Sequence, residues 1–286
     1  MTLLLEALLR KVPPLRRLTW RVGRRLYCAA RGEPRRNDIA LNGEALVQRC
    51  IARAAGPLVI FDIGANKGEW SLSMLDALAA AGVEDAALHV FEPVPETRGR
   101  LTQALAAHPL GRCAHIRALA ASDSSGRAQM ARMSEDGGVD TLHGDDTPPP
   151  CGFVETETVD LFTYFQRETV AHAHLVKSDA EGHDFHILRG ALPLLREQRI
   201  TALQFEYNHR WITARAYLRD VFALLDGLPY VVARETADGL ETVPSWSPEL
   251  ERFFEANWII VHEPALALFP HWRGRLDANN CWREEA

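Results

Sequence analysis

Val59-Ile60-Phe61-Asp62-Ile63-Gly64-Ala65-Asn66-Lys67-Gly68 is the stretch that decides the fold. Residues 58–63 are a short apolar, β-branched run, the pattern of a strand covered on both faces. Gly64 and Gly68 bracket a tight turn, where glycine permits positive φ and lets a ligand approach the backbone closely. Residues 69–81 then carry Trp70, Leu72, Leu75, Leu78 and Ala79 at helical spacing. A helix that starts behind a glycine turn offers unpaired N–H groups and the positive end of its dipole. That is a place for a polar or anionic part of a nucleotide-like ligand.

A second strand, residues 88–91, ends in Glu92-Pro93. An acid at this point of a βαβ unit is placed to hydrogen-bond ribose hydroxyls. Glu92 lies 28 residues beyond Gly64, since 92 − 64 = 28, further than the ~20 of a nicotinamide fingerprint. Asn66 also stands where that fingerprint has its middle glycine. The intervening helix is also long, so it is the Asn66 spacing that weighs against a nicotinamide oxidoreductase.

With 286 residues, 47% of them hydrophobic, the chain is long enough to bury a full core. It has no apolar run of the ~18 residues that a membrane span needs. Its five cysteines are scattered, with no Cys-x-x-Cys pair. They read as reduced thiols of a cytoplasmic protein, without a zinc site or a disulfide framework. The net charge of −6 hides an asymmetry. Residues 1–36 hold ten Lys or Arg and two Glu, a local +8, so the remainder is −6 − 8 = −14. Such a balance argues against a nucleic-acid binder.

Residues 1–31 read as two short amphipathic helices around Pro13-Pro14, with Leu15, Leu18, Trp20, Val22 and Leu26 among Arg16, Arg17, Arg21, Arg24 and Arg25. Such an arm either meets a membrane surface or partner, or packs on the main domain with its arginines in solvent. Residues 37–54 read as a helix, with Asn42 a candidate cap. The expected division is a basic helical extension over 1–54 and a catalytic domain over 55–286. Residues 95–107 are the second helix and 113–119 the third strand, followed by Ser122-Asp123, candidates for contact with an adenine ring or for a plain turn. Residues 127–133 and 154–159 alternate as edge strands do. The acidic loop between them, which includes Thr141, makes 126–160 an insertion, read as a lid or as a solvated loop.

His174-Leu175-Val176-Lys177-Ser178-Asp179-Ala180-Glu181-Gly182-His183-Asp184 is the second informative stretch. It reads as a strand ending in two carboxylates, a glycine and a histidine, with a helix starting at Asp184. The next strand, 200–205, ends in Glu206-Tyr207-Asn208-His209-Arg210, so two consecutive strands carry acid-rich clusters to the same end of the sheet. A helix over 219–228 and strands over 230–233 and 258–262 close the pattern.

These residues together resemble the FkbM family of S-adenosylmethionine-dependent methyltransferases. The resemblance rests on Phe61-Asp62-Ile63-Gly64-Ala65-Asn66-Lys67-Gly68, Phe91-Glu92-Pro93, Val176-Lys177-Ser178-Asp179-Ala180-Glu181-Gly182-His183 and Leu188-Arg189-Gly190-Ala191. Ser178 departs from it, since the family usually has an aliphatic residue there. It implies a Rossmann-like, class I α/β fold with a mostly parallel seven-stranded sheet and helices on both faces. It also implies S-adenosylmethionine as cofactor, and O-methylation of a sugar, glycan or natural product. The cofactor contacts expected are Asp62, Gly64, Asn66, Gly68, Glu92, Ser122, Asp123 and Asp179. His183, Asp179 and Glu206 are the candidate catalytic groups; Glu181, Asn208, His209 and Thr141 are candidate acceptor contacts. The carboxylates suit contact with acceptor hydroxyls, structural bonds, or a hard divalent cation, but no ligand spacing is diagnostic and no metal site is assigned. Rival readings are a non-catalytic module of the same fold, and a methyltransferase for carboxyl or nitrogen acceptors.

Overall fold

β1 (Leu58–Ile63) runs through the middle of the main sheet, as a strand apolar on both faces must. The structure is a computed structural model and describes residues 2–33, 38–133, 140–142 and 150–285. Side chains alternate along β1. Leu58 and Ile60 enter one core with Val47, Met74 and Leu101, while Phe61 and Ile63 enter the other with Phe165, Leu188 and Leu203. β2 (Ala86–Phe91) and β7 (Leu175–Ser178) flank β1, both parallel to it. β3 (Ala114–Arg117) extends the sheet beyond β2, and β8 (Ala202–Tyr207) beyond β7. β11 (Ala256–His262) lies antiparallel between β8 and β9 (Tyr230–Glu235). These seven strands, in the order β3-β2-β1-β7-β8-β11-β9, form the expected Rossmann-like sheet. Its order reverses between β1 and β7, the switch point where open α/β sheets bind ligands.

The sheet does not stop at seven strands. β10 (Leu240–Val243), β12 (His271–Leu276) and β13 (Trp282–Glu284) continue it past β9, giving ten. These strands are short, and β12 and β13 are rich in arginine, so no apolar run marks them. The third strand is also corrected. Residues 113–119 are not one strand: β3 stays in the main sheet, while β4 (Leu119–Ser122) joins a separate three-stranded sheet. Its partners are β6 (Gly152–Asp160), parallel to β4, and β5 (Gly126–Arg132), antiparallel to β6. That pairing is far apart in sequence, which local pattern does not reveal. The rest of the insertion is described only at 140–142, where Thr141 bridges to Ala131. Residues 134–139 and 143–149 of the expected lid lie outside the described residues.

Helices cover both faces. α4 (Glu69–Ala80) and α5 (Pro95–Ala106) pack into the core of Leu58 and Ile60. α6 (Leu161–Arg167), α7 (Asp184–Arg196) and α8 (Leu218–Leu224) pack into the core of Phe61. α7 sits so close to β4 that a Cβ on Gly190 would come within 2.2 Å of the Ser122 carbonyl oxygen. This gives the Leu188-Arg189-Gly190-Ala191 motif a packing reason.

The helix expected over 37–54 is shorter. α3 (Glu44–Ile51) starts after Gly43, whose φ is 103°, and Asn42 forms a turn bond to the Glu44 N–H (3.1 Å). α3 buries Val47 and Ile51 in the core, and its Gln48 bonds the Trp70 carbonyl (3.1 Å) and Ser73 (2.6 Å). It therefore packs directly on the core of the main sheet. Ahead of it stand α1 (Thr2–Lys11) and α2 (Pro13–Ala30). Among the described residues no helix is long and apolar enough to cross a membrane.

Candidate active site

The carboxyl ends of β1, β2 and β7 meet at the glycine turn. The Gly64 and Ala65 N–H groups donate to the Phe91 carbonyl (3.2 and 3.0 Å), and the Asp179 N–H donates to the Ile63 carbonyl (3.0 Å). Gly64 has φ 75°, and a Cβ there would lie 2.0 Å from the Asp179 carbonyl oxygen. Only glycine satisfies both the turn and this approach. Asn66 holds φ 48°, a left-handed conformation that asparagine tolerates better than most residues.

A cleft opens on this turn. At one end it is lined by Gly64, Asn66, Glu92, Pro93 and Thr97, with Leu119, Ala120, Ala121 and Met130 as an apolar wall. Glu92 is held by two backbone donors, Asn66 N–H (3.0 Å) and Val94 N–H (2.8 Å). Burial raises its carboxyl to about 7; the two N–H bonds oppose this and Asp140 adds to it. The Oδ1 of Asn66 is buried without a hydrogen-bond partner.

The other end is lined by Asp140, Leu142, Asp179, Ala180, Glu181 and His183. Asp179 keeps 39% of its side chain exposed and lies 3.5 Å from the Lys177 ammonium. Glu181 pairs with Arg210. His183 stands at the N-cap position of α7, but its side chain makes no capping bond. Instead its Nε2 meets Ser122 Oγ at 2.9 Å and its ring stacks on His186, with centroids 4.5 Å apart. Thr141 is buried and donates to the Glu181 carbonyl (2.9 Å), which ties the insertion to this end of the cleft.

Several residues expected in the site serve it from behind. Asp62 is fully buried; it accepts from Ser71 Oγ (2.6 Å) and pairs with Lys177 (3.1 Å). Gly68 is the N-cap of α4 and lies under Leu101. Ser122 turns to His183, and Asp123 to His186 (3.0 Å) and Arg189 (3.4 Å); neither lines the cleft, whose apolar wall is Leu119, Ala120 and Ala121 with Met130. Glu206 lies inside β8, not beyond its end, because β11 pairs with β8 as far as Tyr207. Burial, then Asp179, push its carboxyl well above the usual range, and Asn208 Nδ2 donates to it (2.6 Å). Asn208 also accepts from the Arg210 N–H (2.8 Å), and His209 is exposed. Neither lines the cleft. Asp140, Leu142, Met130 and Arg210 were missed; all but Arg210 come from the insertion, whose fold the local pattern does not give. Among the described residues, no three His, Cys, Asp or Glu side chains converge as a metal would require.

The strand order, the glycine turn and the acid at the end of β2 are those of a Rossmann-like, class I α/β fold. The family model described as methyltransferase FkbM domain matches residues 62–232, more than half of the chain, and the chain belongs to this family. Among solved structures, it is similar to methyltransferase FkbM from Methylobacillus flagellatus, with 14% identity, a TM-score of 0.47, and coverage of 71% of this chain and 43% of that one. Precorrin-6y C5,15-methyltransferase from Geobacter metallireducens gives 12%, 0.39, 76% and 86%. A SAM-dependent methyltransferase from Agrobacterium tumefaciens gives 14%, 0.41, 76% and 60%. The chain thus spans less than two thirds of the first and third of these. No curated protein matches it significantly.

The cleft fits the cofactor that the family implies. The unpartnered Asn66 Oδ1 and the Gly64 backbone offer polar contacts at the turn, and Glu92 stands beside them. The apolar wall suits a flat base.

Proposed function

We propose that the chain methylates a hydroxyl group of a neutral, polyhydroxylated acceptor such as a sugar, glycan or natural product, with S-adenosylmethionine as donor. The observation that carries this reading is the charge of the cleft. Glu92, Asp140, Asp179 and Glu181 line it, and no Lys or Arg stands among its lining residues. Such a wall suits hydroxyls, which donate to carboxylates.

Gly64, Asn66 and Glu92 would hold the cofactor, with the nucleoside against Leu119, Ala120 and Ala121. The bound cofactor supplies a methyl carbon already activated on a sulfonium, so transfer to oxygen is a direct displacement. The chain then has two tasks. It aligns the acceptor, which can lower a barrier by ~7–11 kcal/mol, and it removes the hydroxyl proton. Asp179, 3.5 Å from the Lys177 ammonium, accepts the hydrogen bond of the acceptor hydroxyl. His183, whose ring is fixed by Ser122 and His186, takes the proton.

The test is methyl transfer from labelled S-adenosylmethionine to panels of glycosides, simple alcohols, carboxylates and amines. Turnover is expected with a hydroxylic acceptor. His183→Asn should lower kcat by about 10²–10⁴ while cofactor affinity holds. Methylation of carboxylates or amines alone would overturn the acceptor class. Cofactor binding without transfer to any panel would favour the non-catalytic module.

A further inference from the structure

α2 meets the rest of the protein mainly through its last turns. The Arg24 guanidinium lies over the Phe254 ring, 5.5 Å from its centroid. Tyr27 packs against the same ring at 5.6 Å and donates to Asn280 (3.1 Å). Just beyond the helix, Arg31 bonds Glu33, Asn280 and the Glu249 carbonyl. A helix that only packs as a cover buries its leucines and leaves its arginines in water. Here the leucines stand in solvent as well as the arginines. No residue of α2 is buried, and Leu18, Val22 and Leu26 are 57, 48 and 67% exposed.

Leu15, Leu18, Val22 and Leu26 recur at intervals of three, four and four residues. At about 100° per residue they fall within one arc of about 80°. Tyr27 and Arg24 lie on the opposite side, where the helix touches the domain. Arg21 and Arg25 run along the flank of the apolar stripe, while Arg17 lies beside Arg24. α2 contains five arginines and no acid, and Arg10 and Lys11 close α1 just before it.

We propose that α2 docks the protein on an anionic phospholipid surface, with the leucine stripe in the headgroup boundary and the arginines against the lipid phosphates. Charge selects this occupant. The first 36 residues carry +8 in a chain whose remainder carries −14, so attraction to an anionic surface is confined to the arm. A second copy of the chain fits worse. Two stripes laid together would bring Arg21 and Arg25 of both helices side by side, with no acid in either helix to pair them. Attachment is along the surface, because α2 has too many charges to span a bilayer.

The test is co-sedimentation of the full chain with vesicles of phosphatidylcholine alone, or of phosphatidylcholine mixed with phosphatidylglycerol. Binding is expected on the mixed vesicles only, and should fall as salt is raised. Arg21→Gln with Arg25→Gln should weaken it about 25-fold, at roughly fivefold per charge. Leu18→Gln with Val22→Gln and Leu26→Gln should weaken it at least as much. Both variants should keep wild-type cofactor binding, since they touch neither the core nor the cleft. Three results would overturn the proposal: no binding to mixed vesicles at low salt, equal binding to neutral vesicles, or arginine variants that bind as wild type. A concentration-dependent dimer lost in the leucine variant would assign the stripe to a second copy instead.

Discussion

Replacing Lys177 by methionine should destabilise the protein by about 3–5 kcal/mol, because it strips a buried carboxylate of its partner. The lysine side chain is 5% exposed; its ammonium lies 3.1 Å from Asp62 Oδ1, 3.5 Å from Asp179 Oδ2 and 3.4 Å from the Gly64 carbonyl. Asp62 is wholly buried, and Glu44 adds a third acid nearby. Burial opposes the charge on Lys177, but Asp62, then Asp179 and Glu44, outweigh it and raise its pKa. Without the ammonium, Asp62 must either take up a proton or face Asp179 unpaired. The check is the urea midpoint of the variant at unchanged slope. Adding Asp62→Asn should restore a large part of the loss, since the orphaned charge goes with it. A single variant as stable as wild type would show that the pair carries little.

Gly64→Ala should damage both stability and cofactor binding. The new Cβ would meet the Asp179 carbonyl oxygen at 2.0 Å, a backbone atom that no rotamer change can move aside. The left-handed backbone adds its own penalty. Strain and overpacking together suggest a cost of about 2–5 kcal/mol. Because relief must come from moving the β1 or the β7 turn, cofactor affinity should fall more than stability alone explains. Thermal unfolding with and without S-adenosylhomocysteine separates the two effects: the variant's midpoint should drop, and the ligand should no longer raise it. An unaltered ligand shift would mean that the turn does not form the cofactor site.

The sequence announces most of the main sheet because its inner strands are apolar runs bounded by helices. β1, α4, α5 and α7 start where their patterns start, and Asp184 marks the first turn of α7. The outer strands β10, β12 and β13 carry no such run, although Asp238-Gly239 beside β10 is a hairpin signal. The residues of the cleft differ for the same reason. Gly64, Asn66, Glu92, Asp179, Glu181 and His183 sit at strand ends or in the turns after them, so a motif places them. Asp62 shows where this breaks down. Its register partner across the parallel pair is Lys177, and the two side chains meet on the same face, below the turn. Only the pairing of β1 with β7 reveals that Asp62 serves the lysine and not the cleft. Likewise Asp140 and Leu142 flank Thr141, which an isolated bridge to Ala131 and a hydrogen bond to the Glu181 carbonyl bring to the cleft.

The central claim is that the turn at Gly64 and the acid Glu92 form a site for S-adenosylmethionine. Calorimetric titration of the chain and of Glu92→Gln with S-adenosylmethionine and S-adenosylhomocysteine, with NAD and NADP as controls, tests it most directly. It should be run one pH unit below and one above the Glu92 value of about 7. Ribose hydroxyls donate to the ionised carboxylate, so binding gains as pH rises through that value. Affinity on the order of micromolar is expected for both sulfur nucleotides. For the wild type it should be about tenfold tighter at the higher pH; for Glu92→Gln, weaker and flat with pH. Folded protein that binds neither sulfur nucleotide, or that binds NAD or NADP instead, would contradict it.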